Sequence, residues 1–474
     1  MTDLLRAVDQ ASLVRFLIRQ RWFSAREADI ASASLHAVTP LPDADAALAC
    51  VRVELTDRSV AEYQVPLAVR DHRPDDDRST LARVGARAVV DALADPEFLR
   101  RISRAFNNSS NNNNRETFAG AEAVWTFTAL GELPDLDPPR PVTGEQSNSS
   151  VVLGERAILK FYRRLAAGEH PDVEVARALA TRTSFRGTPP LLGVAHLEPR
   201  PSAAHLSHTP ADLSPEPDRT VVAALYRYIP DADDGWVHVL ARLRADGDPG
   251  PDLSALGAVT RDLHVALASI TDDPAFAPEP TAAADLERWQ DATVARVRAA
   301  LARLSERRAT LPVALAAMTQ RVLARADELV ARVRVALDPD GVGPKIRHHG
   351  DYHLGQTLHT PDGWRILDFE GEPTRPLAER RLKHHPLRDV AGMLRSLAYA
   401  AAVAGIPAAE PRMRAAFLAG YDPTLLDDPR RADLLALFTS EKLFYELDYE
   451  LGHRPDWVRI PLAAIAALLP ADPA

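Results

Sequence analysis

The chain has 474 residues, of which 46% are hydrophobic and 26% are charged. This composition is typical of a folded globular protein of two to four domains and excludes a disordered chain. The formal net charge of -10 argues against nucleic acid as a partner, because phosphate binding needs a net positive field. The single Cys50 excludes an internal disulfide, and we see no signal sequence or long apolar run. A cytoplasmic protein without a membrane partner is therefore expected.

The N-terminal region, residues 1–105, is predicted to form a small α+β domain. A first helix is expected to end near residues 21–23, two strands lie within 46–68, and a second helix is expected over 81–104. The Asn/Ser run at 107–114 predicts a surface loop, since these residues satisfy turns better than cores. Together with the Pro-rich stretch LPDLDPPRP, it assigns residues 106–141 to a connection.

From residue 142 onward, strands are followed by helices. Two strands flank a tight turn at Gly154, and the second strand carries Lys160. A helix that carries Glu174 follows, and a further strand, TVVAALYRYIP, ends at Pro230. Beyond residue 252 the apolar residues recur at helical spacing. We therefore predict a strand-rich lobe over 142–235 and a helix-rich lobe over 236–474.

The stretch HHGDYHLGQTLHTPDGWRILDFEGEP, residues 348–373, carries the chemistry. The segment WRILDF is expected to pair with the strand before it across the turn TPDG, which would bring Gln356 and Asp368 together. Oxygen ligands of this kind suit a magnesium ion. Asp351 would then be available to orient an attacking hydroxyl group. With Lys160 as a clamp for phosphates and Glu174 holding that lysine, these are the parts that phosphoryl transfer needs.

The same stretch carries a family resemblance. HGDYHLGQ followed by LDFEGEP resembles the catalytic and magnesium segments of aminoglycoside phosphotransferase-like kinases. GEQSNSSVV, AILKFYRRL and EKLFYELDYELGHRPDWVRIPL resemble the actinobacterial maltokinases. The resemblance implies an α+β, bilobal, protein-kinase-like fold with an N-terminal α+β cap domain. It further implies a monomeric, ATP-dependent and magnesium-dependent sugar kinase, which would convert maltose to maltose 1-phosphate on the route from trehalose to α-glucan.

The resemblance also assigns roles to individual residues. Asp351 is implied as the catalytic base, Gln356 and Asp368 as magnesium ligands, and Lys160 as the residue that grips the phosphates. Further residues are implied on the nucleotide side, namely Ser147, Asn148 and Ser149 in a lid and Tyr226 and Tyr228 facing the adenine. Those implied on the sugar side are Glu446, Tyr449, Glu450 and Arg454.

The identity of the sugar has an alternative. Asp448 stands where the family commonly has a small or neutral residue, and glucosamine kinases are close relatives of maltokinases. Because a buried ammonium group needs a paired anion, Asp448 could bind the amine of glucosamine, which would then be phosphorylated at its 6-hydroxyl. The competing interpretation is that Asp448 is exposed to solvent, opposite Arg454 or Lys442.

Other classes of function are disfavoured. A protein kinase would carry an arginine before the aspartate of the catalytic loop, where HHGD stands here, and would have an APE-like motif. A non-catalytic nucleotide-binding module would normally have lost Lys160, Asp351 or Asp368. The histidine pairs at 348–349 and 384–385 do not predict zinc, because neighbouring side chains on a strand point to opposite faces. His353 is expected to brace the catalytic loop.

Overall fold

The computed structural model describes residues 8–23, 25, 29–71, 78–111, 115–142, 148–200, 219–245, 247–373 and 375–470. The chain forms two compact units. The first comprises Met1–Arg177 and Pro189–Pro230, and the second comprises Ala178–Thr188 and Asp231–Ala474. Among the described residues, no helix combines the length and the apolar character that crossing a membrane requires.

The first unit begins with helix α1, Gln10–Leu17, and an antiparallel sheet. Six of its strands are consecutive in the chain: β1 Ile30–Pro40, β2 Ala46–Leu55, β3 Val60–Gln64, β4 Leu67–Asp71, β5 Thr80–Val84 and β6 Arg87–Asp91. The seventh, β12, is the short strand Arg164–Leu165, which pairs with β3. The strand order is β12-β3-β2-β4-β6-β5, and β1 pairs with β2.

The helix expected over 81–104 is wrong for its first half. Residues 80–91 form the hairpin β5–β6, which turns at Gly85 with φ +61°, a backbone conformation that favours glycine. Val89 and Val90 point to opposite faces of β6 and lie in two different apolar cores. A strand buried on both faces shows no alternation of polar and apolar residues, so its pattern cannot be distinguished from that of a helix.

Helix α2, Pro96–Asn111, starts later than expected and includes the first five residues of the Asn/Ser run. The surface loop predicted for this run is therefore wrong over 107–111. Ser109 is fully buried, donates to the carbonyl oxygen of Phe106 (2.7 Å) and accepts from the backbone N–H of Ala129 (2.9 Å). Because the Ser109 hydroxyl group makes both hydrogen bonds, its burial costs little free energy.

A second antiparallel sheet completes the first unit. It contains β7 Glu116–Ala119, β8 Ala123–Ala129, β9 Pro139–Pro141, β10 Ser149–Leu153, β11 Ala157–Phe161, β13 Leu191–Pro199 and β14 Thr220–Arg227, in the order β7-β8-β13-β14-β11-β10-β9. Helix α3 spans Pro171–Arg182. Strands β7, β8 and β9 lie within residues 106–141, so that segment is part of this sheet and not a simple connection.

The second unit is mainly helical. Its elements are β15 Asp233–Asp234, α4 Gly235–Arg244, α5 Gly250–Ala268, α6 Ala283–Arg307, α7 Ala316–Ala324, α8 Ala326–Val333, β16 Thr357–Thr360, β17 Gly363–Ile366, α9 Leu377–Arg380, α10 Leu387–Val403, α11 Glu410–Tyr421, α12 Pro429–His453 and α13 Arg459–Ala467. Strands β15, β16 and β17 form a small sheet. The hairpin predicted around TPDG is confirmed as β16–β17.

Candidate active site

A buried carboxylate anchors the loop that carries Asp351 through hydrogen bonds to its backbone. Asp389, in the first turn of α10, accepts the backbone N–H of His349 at 2.7 Å and that of Gly350 at 2.9 Å. His264 Nε2 lies 3.1 Å from the same carboxylate. Burial would raise the pKa of Asp389, but neighbouring His348 and His264 outweigh it and hold the pKa below its usual range. The carboxylate therefore stays charged and fixes the backbone just before Asp351.

Asp351 itself faces a lysine from helix α12. Lys442 Nζ lies 3.3 Å from Asp351 Oδ1 and 3.0 Å from Glu372 Oε1. Burial would lower the pKa of Lys442, but the two carboxylates raise it above its ordinary value. In Glu372, burial is likewise outweighed by Lys442, Arg388 and Arg375, so its pKa is lowered. The ammonium group thus pairs with both carboxylates and orients the one predicted to act as base.

Gln356 and Asp368 come together as the sequence pattern predicts. Gln356 Nε2 donates to Asp368 Oδ2 at 3.1 Å, and the backbone N–H of Leu367 donates to the carbonyl oxygen of Gln356 at 2.9 Å. Asp368 has φ +64°, a strained conformation for a residue with a side chain, and such strain concentrates at functional sites. Turning the Gln356 amide over would present two oxygen atoms side by side, so this pair fits a hard cation such as Mg²⁺.

His353 lies between Asp351 and Gln356 along the loop. Its burial lowers the pKa of the imidazole, which favours the neutral form. The backbone carbonyl oxygen of His353 accepts the N–H of Gln356 at 2.9 Å. This is compatible with the predicted role in bracing the loop.

In the first unit, Lys160 lies on β11, the strand predicted for it. Its Nζ is 3.2 Å from Asp172 Oδ2, and the hydroxyl group of Tyr162 donates to the same oxygen at 2.7 Å. Asp172 is a partner of Lys160 that the sequence analysis missed, because it assigned the role of holding Lys160 to Glu174. Glu174 lies on the same helix, α3, and its role stays a prediction.

The predicted adenine-side tyrosines lie at the end of β14. In the register of the sheet, Tyr226 pairs with Ile158 and Ala224 pairs with Lys160, so the Tyr226 and Lys160 side chains are on one face. Burial, and then the nearby Asp172 carboxylate, raise the pKa of the Tyr226 hydroxyl well above its ordinary value. Tyr228 follows the strand, and its backbone N–H donates to the Arg156 carbonyl oxygen at 3.0 Å.

Two of the predicted lid residues are held by one buried arginine. The Arg163 backbone N–H donates to Asn148 Oδ1 at 3.3 Å, and its Nε donates to Ser149 Oγ at 2.8 Å. The same guanidinium group pairs with Asp91 at 2.5 Å and lies 4.8 Å from the ring centre of Trp22. Ser147, the third predicted lid residue, lies outside the described residues. Arg163 thus connects the predicted lid to residues of the N-terminal sheet region.

The predicted sugar-side residues lie in and just after α12, where one ion pair joins Glu446 to α10 and another is local, between Glu450 and Arg454. Glu446 receives three hydrogen bonds from Arg395, the shortest at 2.8 Å, and Glu450 pairs with Arg454 at 2.7 Å. Burial raises the pKa of Glu450. The Arg454 guanidinium carbon lies 5.2 Å from the ring centre of the exposed Tyr449.

Asp448 has a different partner from either one expected. Its Oδ1 lies 2.9 Å from Arg303 Nε, and the two side chains are 37% and 46% exposed. Glu446 and Tyr449 follow Lys442 by four and seven residues, so they share its face of the helix. Asp448 follows by six residues and is turned about 120° away from that face.

Sequence reasoning missed Lys442, Asp389, Asp172 and Arg163. Lys442 and Asp389 lie in the segments EKLFYELDYELGH and PLRDVAGMLRS. A single lysine in an acidic helix and an aspartate in a helix's first turn were the available signals. Neither signal indicates which residue will be the partner, because the contacts join residues far apart in the sequence. Lys442 and Asp351 are 91 residues apart, and Asp389 and His349 are 40 apart.

Comparison with known proteins places this geometry in a family context. Residues 16–95 match the model of the maltokinase N-terminal cap domain. A glucosamine kinase of Mycolicibacterium smegmatis is 32% identical over 366 residues, which cover 72% of this chain and 80% of that protein. A glucosamine kinase of Streptacidiphilus jiangxiensis is 30% identical over 375 residues, covering 74% of this chain and 78% of the relative.

A solved structure extends the similarity to the whole chain. The structure of a glucosamine kinase in complex with glucosamine, ADP and inorganic phosphate matches with a TM-score of 0.61 and 23% identity, and covers 99% of both chains. The predicted protein-kinase-like fold with an N-terminal cap domain is therefore confirmed.

Proposed function

The chain belongs to the glucosamine kinase family, and from this premise we propose that it transfers the γ-phosphoryl group of ATP to glucosamine. The observation that carries the proposal is the 32% identity to a glucosamine kinase over 366 residues. Family membership confirms the broader prediction, an ATP-dependent sugar kinase. It favours glucosamine over maltose, which was the leading hypothesis from the sequence.

The reaction would join the 6-hydroxyl oxygen of glucosamine to the γ-phosphorus as the bond from that phosphorus to the β-phosphate oxygen breaks. The products would be glucosamine 6-phosphate and ADP. Asp351 would orient the hydroxyl group and accept its proton, and Lys442 would keep the carboxylate in position. Lys160 would bind the phosphates of the nucleotide. This division of roles follows the needs of phosphoryl transfer, in which the protein mainly positions groups and neutralises charge.

Gln356 and Asp368 are the residues that would hold magnesium. When bound, Mg²⁺ would neutralise negative charge on the phosphate oxygens. The hydrogen bond shows that the two side chains are adjacent, and turning the Gln356 amide over would offer an oxygen atom from each, which supports their assignment as a pair.

The amine of the sugar needs a carboxylate. We propose Glu446 for this role, because it lies on the helix face of Lys442, the lysine that contacts Asp351. Asp448 is less suitable, since it is turned away from that face and is paired with Arg303. The carboxylate that binds the amine would thus be that of Glu446, which Arg395 already holds in a fixed orientation.

The maltose hypothesis is supported by the cap-domain match over residues 16–95 and by the sequence motifs described above. It predicts a neutral disaccharide as acceptor. The two hypotheses therefore differ in the charge and size of the acceptor, which a direct assay can separate.

The test is coupled ADP release by the purified protein with MgATP, offered glucosamine and maltose in parallel. We expect turnover with glucosamine, and loss of turnover in Asp351→Asn with ATP binding retained. Asp362→Asn, which changes an exposed aspartate in the β16–β17 turn, is the matched control and should behave as the wild type. Turnover with maltose alone would transfer the assignment to maltose kinase. Turnover with neither sugar, or full activity of Asp351→Asn, would contradict the proposal.

A further inference from the structure

A group of histidine and aspartate side chains lies in the second unit, and none of its members has a role in the proposed phosphoryl transfer, although His359 lies on the hairpin between Gln356 and Asp368. His238 on α4, Asp252 in the first turn of α5 and His359 on β16 bring their side-chain nitrogen and oxygen atoms within 4.8 Å of one another. All three are half-buried. Two consecutive helices and a strand from much later in the chain therefore converge on one point.

The geometry of these three side chains is compact. His238 Nε2 lies 3.0 Å from Asp252 Oδ2. The rings of His238 and His359 stack with centroids 3.8 Å apart and an angle of 15° between their planes. Trp364 contacts both rings edge-on and donates its Nε1–H to the backbone carbonyl oxygen of Asp252 at 2.8 Å. The tryptophan thus forms an apolar support that limits the movement of the three ligand groups.

A fourth residue, Asp233, lies beside the two histidines. Asp233 pairs with His359 in the register of β15 and β16, so the two side chains point to the same side of the sheet. Its Oδ2 lies 3.9 Å from His238 Nδ1. A histidine that binds a metal through one ring nitrogen commonly donates the other to a carboxylate, which orients the ring. His238 has a carboxylate near each nitrogen, as that arrangement requires.

We propose that His238, His359 and Asp252 bind a divalent transition-metal ion of the Zn²⁺ class, with Asp233 orienting His238. Two imidazoles and one carboxylate suit zinc and its first-row neighbours, whereas magnesium prefers an all-oxygen shell. The ligand atoms lie within 4.8 Å of one another, and rotation of the two imidazole rings out of their stacked arrangement would direct their nitrogen atoms at one ion, at zinc ligand distances of about 2.0–2.2 Å. The exposure of His238 (13%) and Asp252 (26%) leaves an entry path.

Arg242 is a cation close to the site. Arg242 Nε is 3.6 Å from Asp252 Oδ2. A carboxylate has two oxygens and about four acceptor positions, so Asp252 can hold Arg242 and a metal together. The metal would join α4, α5 and the β15–β16–β17 sheet, and would therefore stabilise the second unit.

The experiment is titration of the full-length, tag-free and chelator-dialysed protein with Co²⁺ and Zn²⁺. We expect uptake of one equivalent of Co²⁺ with a visible absorption band, displacement by Zn²⁺, and a zinc-dependent rise in melting temperature. Excess Mg²⁺ should not displace the metal, and Asp368→Asn should bind it normally. These two results separate this site from the proposed magnesium position.

The variants test the ligands. His238→Gln and His359→Gln should lose the Co²⁺ band, and Asp233→Asn should weaken affinity by about 10- to 100-fold. His36→Gln, which changes a histidine of the N-terminal sheet, is the matched control. Melting temperatures measured in chelator show whether each variant still folds, and Asp252→Asn serves if either glutamine variant does not. Absence of stoichiometric uptake by the wild type, or retention of the band in folded His238→Gln and His359→Gln, would overturn the proposal.

Discussion

Lys442 Nζ lies 3.3 Å from Asp351 Oδ1, so the predicted base is held by a cation from a helix 91 residues further along the chain. The same ammonium group is 3.0 Å from Glu372. A lysine shared by two carboxylates keeps both in place and prevents their mutual repulsion. This relationship makes Lys442 a positioning residue for the proposed reaction.

The first prediction concerns this lysine. Lys442→Met should lower kcat by about 100-fold, the scale on which a misplaced catalytic group costs rate, because Asp351 and Glu372 would repel each other. The KM for ATP should change little. Steady-state kinetics check both values, and Arg303→Met, which removes the exposed partner of Asp448, is the control. An equal loss of kcat in both variants would contradict a specific role for Lys442.

The second prediction concerns recognition of the amine. Glu446→Gln should raise the KM for glucosamine more than Asp448→Ala does, because Glu446 shares the helix face of Lys442. Melting temperatures are needed alongside the kinetics, since Glu446→Gln also weakens the pair with Arg395. A larger KM effect in Asp448→Ala would instead restore Asp448 as the amine-binding residue.

The third prediction concerns the anchor of the catalytic loop. Asp389→Asn should lower the free energy of unfolding by about 3–5 kcal/mol, the usual cost of breaking a buried charged pair, because an amide cannot accept both N–H groups and pair with His264. Activity should fall as well, since the backbone before Asp351 loses its support. Denaturant unfolding and kinetics measure the two effects. Normal stability would mean that other contacts hold the loop.

The fourth prediction concerns the lid. Arg163→Met should raise the KM for ATP and leave the KM for the sugar nearly unchanged, because Ser149 loses the Nε–H that donates to it, whereas the backbone N–H that holds Asn148 is kept. The neighbouring Arg164 is exposed, so Arg164→Met is a closely matched control. If both KM values rise together, Arg163 acts on the fold as a whole and not through the lid.

The fifth prediction concerns acid stability. Burial lowers the pKa of His348 and His385 to about 4, from about 6.5 in an unfolded chain. The unfolded state therefore binds more protons between these values, and stability present above pH 6.5 is lost as pH falls toward 4. Each histidine contributes about 1.4 kcal/mol per pH unit in this window.

Unfolding free energies measured between pH 4 and pH 7 check this slope. His348→Gln should reduce it, whereas substitution of the exposed His453 by Gln should not. An unchanged slope in His348→Gln would show that the buried histidine does not titrate as its surroundings imply.

Much of the local structure was predictable. The hairpin β16–β17, the strand of Lys160 and the helix of Glu174 follow from turn residues and apolar periodicity, which act over a few neighbouring residues. Gln356 and Asp368 are 12 residues apart, and one hairpin is enough to join them. The α+β class and the kinase-type fold were predictable because contiguous motifs of the chain resemble those of a known family, which implies both.

The remaining features were decided by tertiary structure. Residues 80–91 became strands because a sheet buries Val89 and Val90 on both faces, and the polar run at 107–111 became helix because Ser109 found two buried partners. The contacts of Lys442 with Asp351 and of Asp389 with the catalytic loop join segments that no local pattern connects. The sequence by itself determined which groups could do the chemistry, since side-chain type and short-range spacing are written in it. Only the fold decided which charges meet, because ion pairs depend on distances of a few ångströms that packing sets.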